Sequence, residues 1–145
     1  MAVTVKKAVL WRKEVDNRSG MLAGTLQPLS EAGADLYVVM GYRLPGSSDR
    51  AVVEVHPVSG RKPTAAARAA GLEPSSIPTL LVEGDNRPGL GHAIAKGIAD
   101  AGINLSFVMA QVVGRRYSAV FGFENAADAT KAATLIKKAA PAKKT

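Results

Sequence analysis

Hydrophobic positions along the chain follow two periods, one typical of strands and the other typical of helices. Apolar-rich runs at residues 8–15 and 79–83 end at turn residues, and they predict two short strands. After Gly20 and Gly89 the apolar positions return at helical spacing, which predicts a helix behind each glycine. The spaced residues are Leu22, Leu26 and Leu29 in the first helix and Leu90, Ile94 and Ile98 in the second.

A period of two then predicts another strand after each helix, beyond Gly33 and Gly102, which suit a positive φ at a helix end. Hairpin loops at 44–49 and 114–117 lead into returning strands, and Ala-rich helices at 63–70 and 126–139 follow them. Asn125 is the expected N-cap of the last helix. The residues expected on the core face of the second strands are Leu36, Val38 and Met40, matched by Leu105, Phe107 and Met109.

An internal repeat organises these elements. Residues 16–21 recur 69 positions later as residues 85–90, with four of the six identical, and the same offset aligns 32–36 with 101–105. After a loop that is one residue shorter, an offset of 68 aligns 51–53 with 119–121. We therefore predict a first repeat at 1–72, a second repeat at 73–139 and a basic disordered tail at 140–145.

The element order, β-α-β-β-α in each repeat, predicts an α+β fold made of two ferredoxin-like split-βαβ units. Each unit would have an antiparallel sheet with its helices on one face. A fourth strand is not evident in either repeat, although 79–83 could close the first sheet as well as open the second. Apolar residues on both strand faces and open sheet edges favour pairing between repeats or chains, so we expect a two-fold homodimer or a larger even assembly.

The duplicated Asp-Asn-Arg-x-Gly turn joins a strand to a helix N-terminus, where unpaired N–H groups and the helix dipole attract anions. Asn17 and Asn86 offer both donors and acceptors, so they could hold either end of a zwitterion. Simple helix capping and a tight glycine turn explain part of the same pattern. An arginine in both copies, Arg18 and Arg87, favours ligand binding over capping alone.

At this turn, and at the Ala-Gly-Ile-Asn-Leu segment beyond it, the sequence resembles the ACT domain family of amino-acid-binding regulatory modules. The resemblance implies a regulatory or sensor protein without catalytic activity that binds an amino acid and controls a partner enzyme or its own assembly. The ligand would lie between the turn of one copy and the second strand of a neighbouring copy. The implied binding residues are Asp85, Asn86, Arg87, Gly89, Leu90, Asn104 and Leu105, with Asp16, Asn17, Arg18, Gly20, Met21, Asp35 and Leu36 in the first repeat.

The first repeat departs from the family pattern at three positions. Ser19 replaces the usual proline, Pro28 interrupts the helix, and Asp35 replaces the residue equivalent to Asn104. These departures lead us to expect the second turn to be the better site. The final strand of the family pattern is also missing after Ala139.

Composition narrows the remaining classes of function. The 145 residues include 19 basic and 12 acidic side chains, but four of the lysines stand in the last nine positions. Without cysteine the chain has no disulfide or thiolate site. It also shows no apolar leader and no membrane-spanning run, and together these features favour a cytoplasmic protein. His56 and His92 have no counterparts across the repeat, and no catalytic triad, metal cluster or phosphate-binding loop is present. We therefore expect no catalytic residues, metal or cofactor.

The alternative is a basic ferredoxin-like nucleic-acid-binding protein, given the isoelectric point of about 9.9. Arg115 and Arg116, beside Tyr117, form the best basic patch for that function. Because most of the excess charge lies in the tail, and because the phenylalanines are expected in the core, this interpretation ranks second. A membrane role is not expected.

Overall fold

The computed structural model describes residues 3–140 and divides the chain into two compact units. One unit is Val9–Ser76, called the first repeat below. The other combines residues 3–8 with residues 77–140, and it is called the second repeat. The predicted boundaries at 72 and 73 therefore differ from the observed division, above all at the N-terminal segment.

The first repeat contains a four-stranded antiparallel sheet and two helices. In chain order its elements are β2 (Trp11–Asp16), α1 (Met21–Glu31), β3 (Val38–Arg43), β4 (Arg50–His56), α2 (Arg61–Ala69) and β5 (Glu73–Pro74). The strand order is β3-β4-β2-β5. Trp11, Val15, Val53 and Val55 pack with Leu29 of α1 and Ala67 of α2, which defines the helix face of this sheet.

The second repeat has the same architecture. It contains β1 (Thr4–Ala8), β6 (Thr79–Asp85), α3 (Leu90–Asp100), β7 (Leu105–Val113), β8 (Arg116–Phe123) and α4 (Ala126–Ala139), with strand order β1-β6-β8-β7. Its core combines β6 and β8 side chains with Leu90, Ile94 and Ile98 of α3 and with α4. The predicted fold class, two ferredoxin-like α+β repeats, is confirmed.

The N-terminal strand explains the fourth strand that the sequence did not reveal. The strand predicted at 8–15 corresponds to β2, and only its first residue, Ala8, belongs to β1, because the two strands are separated at Val9 and Leu10. β1 pairs antiparallel with β6 of the second repeat, from Thr4 opposite Glu83 to Ala8 opposite Thr79. The short β5 closes the first sheet beside β2, so β6 serves the second repeat only.

The hydrogen-bonded registers correct the alignment of the two repeats. Asp16 pairs with Arg50 and Asp85 pairs with Arg116. The equivalent strands β4 and β8 are therefore related by an offset of 66 residues. The predicted offset of 68 was wrong because, between the matching pairs Arg43–Ala51 and Val112–Tyr117, the second hairpin is three residues shorter than the first, not one. By this register Ala51 corresponds to Tyr117.

Side chains on the edge strands face differently from the prediction. Leu36 and Leu105 pack against the helix-side cores. Val38 and Met40, however, lie opposite His56 and Glu54, on the other face of the first sheet. A register shift between Leu105 and Phe107 likewise turns Phe107 away from the core, where its ring lies over Gly122.

Most helix predictions are confirmed, with α2 beginning two residues earlier than expected. Gly33 and Gly102 have positive φ values of 81° and 73°, and the Asn125 side chain accepts a hydrogen bond from the Asp128 N–H at 2.8 Å. Leu22 is exposed rather than in the core. Ala140, assigned to the tail, is buried in the second core, and the rest of that predicted tail lies outside the described residues. None of the helices within 3–140 is long and apolar enough to cross a membrane.

Candidate functional site

The first-repeat turn is fastened to the neighbouring hairpin through Asn17. The backbone N–H of Asn17 donates to the Asp49 carbonyl at 2.8 Å, and its side-chain amide donates to the Ser48 carbonyl at 2.9 Å. Gly20 stands at the helix N-cap with φ 86°, a value that favours glycine, and no side chain of the described part of the chain caps the helix. The Asn17 amide is therefore a structural clamp that fixes where the turn stands.

Charged groups surround this turn. The Asp16 carboxylate is 2.7 Å from the Arg50 guanidinium, its cross-strand neighbour, and 3.9 Å from Nε of Arg18. The side chain of Arg18 is 68% exposed. At that distance and exposure the second ion pair contributes little to stability. Arg18 is thus positioned at the turn without a strong structural role.

A cavity of about 290 Å³ opens between this turn, the start of α1 and the strands behind it. Its polar rim is formed by Asp16, Asn17 and Arg18. Its apolar wall comes from Val15, Met21, Leu22, Gly41, Ala51 and Val53, and Tyr42 and Val52 complete the lining. A Cβ atom built on Gly41 would meet nothing within 4 Å, so this glycine leaves open space at the wall.

The second-repeat turn keeps the backbone pattern of the first but uses its arginine differently. The N–H of Asn86 donates to the Arg115 carbonyl at 2.8 Å, and Asp85 pairs with Arg116 at 2.9 Å. Arg87, however, donates to the Ala139 carbonyl at 2.8 Å, at the C-terminal end of α4. A guanidinium there satisfies an otherwise unpaired helix carbonyl and suits the helix dipole. For Arg87 this contact offers a structural reason for the arginine, so its presence no longer favours ligand binding at the second turn.

The remaining predicted residues are distributed over several environments. Gly89 is the N-cap of α3 with φ 82°, and Leu90 is buried in the second core. The Asn104 side chain donates to Glu124 at 3.3 Å. Asp35 is exposed, and neither it nor Leu36 lines the cavity. The structure therefore brings together Asp16, Asn17, Arg18 and Met21 beside Gly20 and leaves Asp35 and Leu36 apart from them.

The wall residues Gly41, Tyr42, Ala51 and Val53 were missed in the sequence analysis. A glycine inside an alternating strand often marks a close approach of a ligand or another backbone, so Gly41 carried a usable signal. Met40, which was expected on the core face of its strand, lies on the opposite face of the sheet and away from this wall.

Behind the cavity a buried glutamate pairs with a tyrosine that is 39% exposed. The Tyr42 hydroxyl donates to Oε2 of Glu54 at 3.0 Å, and the Glu54 side chain is fully buried. Oε1 of Glu54 has no hydrogen-bond partner among the described residues. Burial first, and then the charge and hydrogen bond of Glu54, raise the pKa of Tyr42 above its ordinary value.

The two histidines lie in separate places, and the described residues hold no metal-binding cluster. Nδ1 of His56 lies 3.2 Å from the Val9 carbonyl, and His92 is exposed on α3. No group of three or more His, Asp or Glu residues that could hold a metal ion occurs within 3–140.

No protein-family model matches this sequence, and a comparison with curated proteins also finds no match. Solved structures do resemble it. The regulatory subunit of aspartate kinase from Thermus thermophilus, in its ligand-free form, is 18% identical, with 96% of this chain and 97% of that chain covered and a TM-score of 0.63. The corresponding subunit from Thermus flavus is 17% identical with the same coverage and a TM-score of 0.61.

The protein BT0572 from Bacteroides thetaiotaomicron is 14% identical, with 91% of this chain and 88% of that chain covered and a TM-score of 0.69. At such identities these likenesses show the fold. The two-repeat architecture described above is therefore shared with these proteins along nearly the whole chain.

Proposed function

We propose that this protein is a regulatory protein without catalytic activity that binds an α-amino acid in the cavity of the first repeat. Ligand binding would control its assembly or a partner enzyme in the cytoplasm. The observation that carries the proposal is the cavity itself, because it joins a charged turn to an apolar wall. The fold shared with two regulatory subunits of aspartate kinase supports a regulatory role with an enzyme as partner.

The rim offers complementary charges to a zwitterion. Arg18 can pair with the ligand carboxylate, which also approaches the first turn of α1, where no acidic side chain is present. The first helical N–H to reach a backbone carbonyl is that of Gly24, which donates to Gly20 at 2.9 Å, so the preceding amides can meet an anion. Asp16 offers a carboxylate to the ligand ammonium.

The size and lining of the cavity select the class of ligand. A volume of about 290 Å³ lies at the lower limit of the roughly 300–1,000 Å³ usual for ligand sites. A single amino acid fits such a space better than a nucleotide does. The apolar wall formed by Val15, Met21 and Val53 would cover the ligand side chain. We therefore reverse the ranking made from the sequence, which preferred the second turn.

A thermal-shift screen of the twenty amino acids tests the proposal. Ligand at about 100 times its dissociation constant adds about 2.7 kcal/mol of stability to the folded protein. Calorimetry with the amino acid that gives the largest shift should then show at least tenfold weaker binding to Arg18→Met. A flat screen together with tight binding of single-stranded RNA would contradict the proposal and support the nucleic-acid alternative.

Assembly through the second-repeat edge is part of the same proposal. β7 is an edge strand, and its sequence from Leu105 to Val113 contains no charged residue. Val108 and Val113 are 54% and 66% exposed, which is unusual for an open edge in a soluble monomer. Antiparallel pairing of β7 with β7 of a second copy would form a two-fold homodimer. Sedimentation equilibrium at a mass near 15.1 kDa at micromolar concentration would contradict it.

A further inference from the structure

The two turns share a sequence, yet the space beside them differs, and this difference sets the number of ligands per chain. On the basis of the proposed function, we infer that each chain holds one ligand site and that Tyr117 closes the equivalent site in the second repeat. Tyr117 is thus the residue that decides which repeat binds.

The strand registers establish which positions are equivalent. The ion pairs Asp16–Arg50 and Asp85–Arg116 occupy matching steps of their ladders. One step further, Val15 pairs with Ala51 in the first repeat, and Gly84 pairs with Tyr117 in the second. Val15 and Ala51 both line the cavity. The position that carries a methyl group in the first repeat therefore carries a phenol ring in the second.

The ring of Tyr117 is buried in the core rather than exposed to solvent. Tyr117 is 4% exposed and belongs to the same core cluster as Leu90, which corresponds to the cavity residue Met21. Its small cross-strand neighbour, Gly84, leaves room for the ring. In the second repeat, core side chains thus fill the region between the turn, the helix and the sheet, where the first repeat keeps a cavity.

The arginine of the second turn makes a structural hydrogen bond that its counterpart in the first turn does not make. Arg87 donates to the Ala139 carbonyl, whereas the Arg18 guanidinium makes, within 3–140, only the 3.9 Å contact with Asp16. A ligand at the second turn would have to compete with the end of α4 for this guanidinium. Space and charge therefore both favour the first repeat.

Exchanging the deciding side chains tests the inference. The wild type is titrated calorimetrically with each of the twenty amino acids, and any amino acid that binds should show one site per chain. Ala51→Tyr should weaken this binding at least tenfold, which is about 1.4 kcal/mol. Tyr117→Ala should add a second site, and Tyr117→Phe, which keeps the ring, should stay at one. Two sites in the wild type, or unchanged binding to Ala51→Tyr, would overturn the inference.

A probe that does not depend on the amino acid separates this inference from the proposed function. Xenon occupies apolar cavities, so crystals under xenon pressure should show a site beside Gly41 in the wild type. Tyr117→Ala should gain a second xenon site beside Leu90. If no amino acid binds, the proposed function fails, and the xenon sites still decide whether Tyr117 closes the second repeat. A wild-type xenon site in the second repeat, or a single site in folded Tyr117→Ala, would refute the closure.

Ala51→Tyr and Tyr117→Ala each change the size of a strand side chain greatly, so circular dichroism first establishes whether both variants fold. If Ala51→Tyr fails to fold, the pair Val15→Gly with Ala51→Tyr copies the Gly84–Tyr117 arrangement and takes its place. If Tyr117→Ala fails to fold, Tyr117→Val removes the ring and keeps a β-branched strand residue. Each replacement variant carries the same expected number of sites.

Discussion

Filling the open space at Gly41 gives the sharpest test of the cavity. Gly41 lies inside β3 without a positive φ, and a Cβ built there contacts nothing within 4 Å. Gly41→Val should therefore fold normally. It should even be more stable by about 0.5–1 kcal/mol, because glycine in a strand interior costs about that much. By contrast, valine at Gly20 or Gly89 would force a β-branched residue to adopt φ 86° or 82°.

The same substitution should weaken ligand binding. The valine side chain would occupy space that the ligand needs, and forcing extra atoms into a filled site typically costs 1–3 kcal/mol. That range corresponds to roughly a 5- to 150-fold rise in the dissociation constant. Stability and affinity are thus expected to change in opposite directions, an outcome that general misfolding cannot produce.

Calorimetry with the amino acid found by screening measures the affinity, and urea denaturation measures the stability. The matched control is Ala110→Val, at the equivalent position of β7 in the second repeat. This control should leave affinity unchanged. Unaltered binding to folded Gly41→Val, or an equal loss in Ala110→Val, would remove this cavity from the mechanism.

Three further predictions follow from other contacts. Arg87→Met should lower the free energy of unfolding in urea by about 0.5–1.5 kcal/mol and leave ligand affinity intact. Arg18→Met should instead weaken ligand binding and leave the free energy of unfolding unchanged. Tyr42→Phe should cost about 1–3 kcal/mol because buried Glu54 loses a hydrogen-bond donor, while Tyr37→Phe, at a 75% exposed position, should be near neutral. Burial raises the pKa of Tyr117 above 10.0, so the stability that it contributes is complete below about pH 10 and is lost as the pH rises through the folded-state pKa. The melting temperature of Tyr117→Phe should accordingly fall less between about pH 9 and about pH 12 than that of the wild type; a parallel fall would contradict this assignment.

The elements that the sequence predicted well are those with local signals. Helical spacing located α1 and α3, an alanine-rich run with the Asn125 N-cap located α4, and the duplicated turn located the N-termini of α1 and α3. β1 was not predicted because its pairing partner lies more than 70 residues away, and no local sequence pattern indicates such a pairing. A break at Val9 and Leu10 was also hidden inside an apolar run.

The site was predicted only in part for a similar reason. Asp16, Asn17 and Arg18 were found through the repeat, since repetition of an unusual turn is visible in the sequence. The wall depends on registers, and similar short apolar strings allowed an alignment shifted by two residues, which paired Ala51 with Ala119 instead of Tyr117. A one-residue irregularity at Leu105 and Phe107 likewise reversed the predicted faces.

The two repeats show how one turn can support two different roles. In both, the backbone N–H of the asparagine after the aspartate donates to a hairpin carbonyl at 2.8 Å, so the turn itself is kept. The following arginine is held by the end of α4 in the second repeat and faces solvent in the first. Tyr117 then fills the second repeat, while Ala51 and Gly41 leave the first one open. Because the shared residues build the turn and the unshared ones build the space, the functional difference lies in the sheet residues opposite the turn.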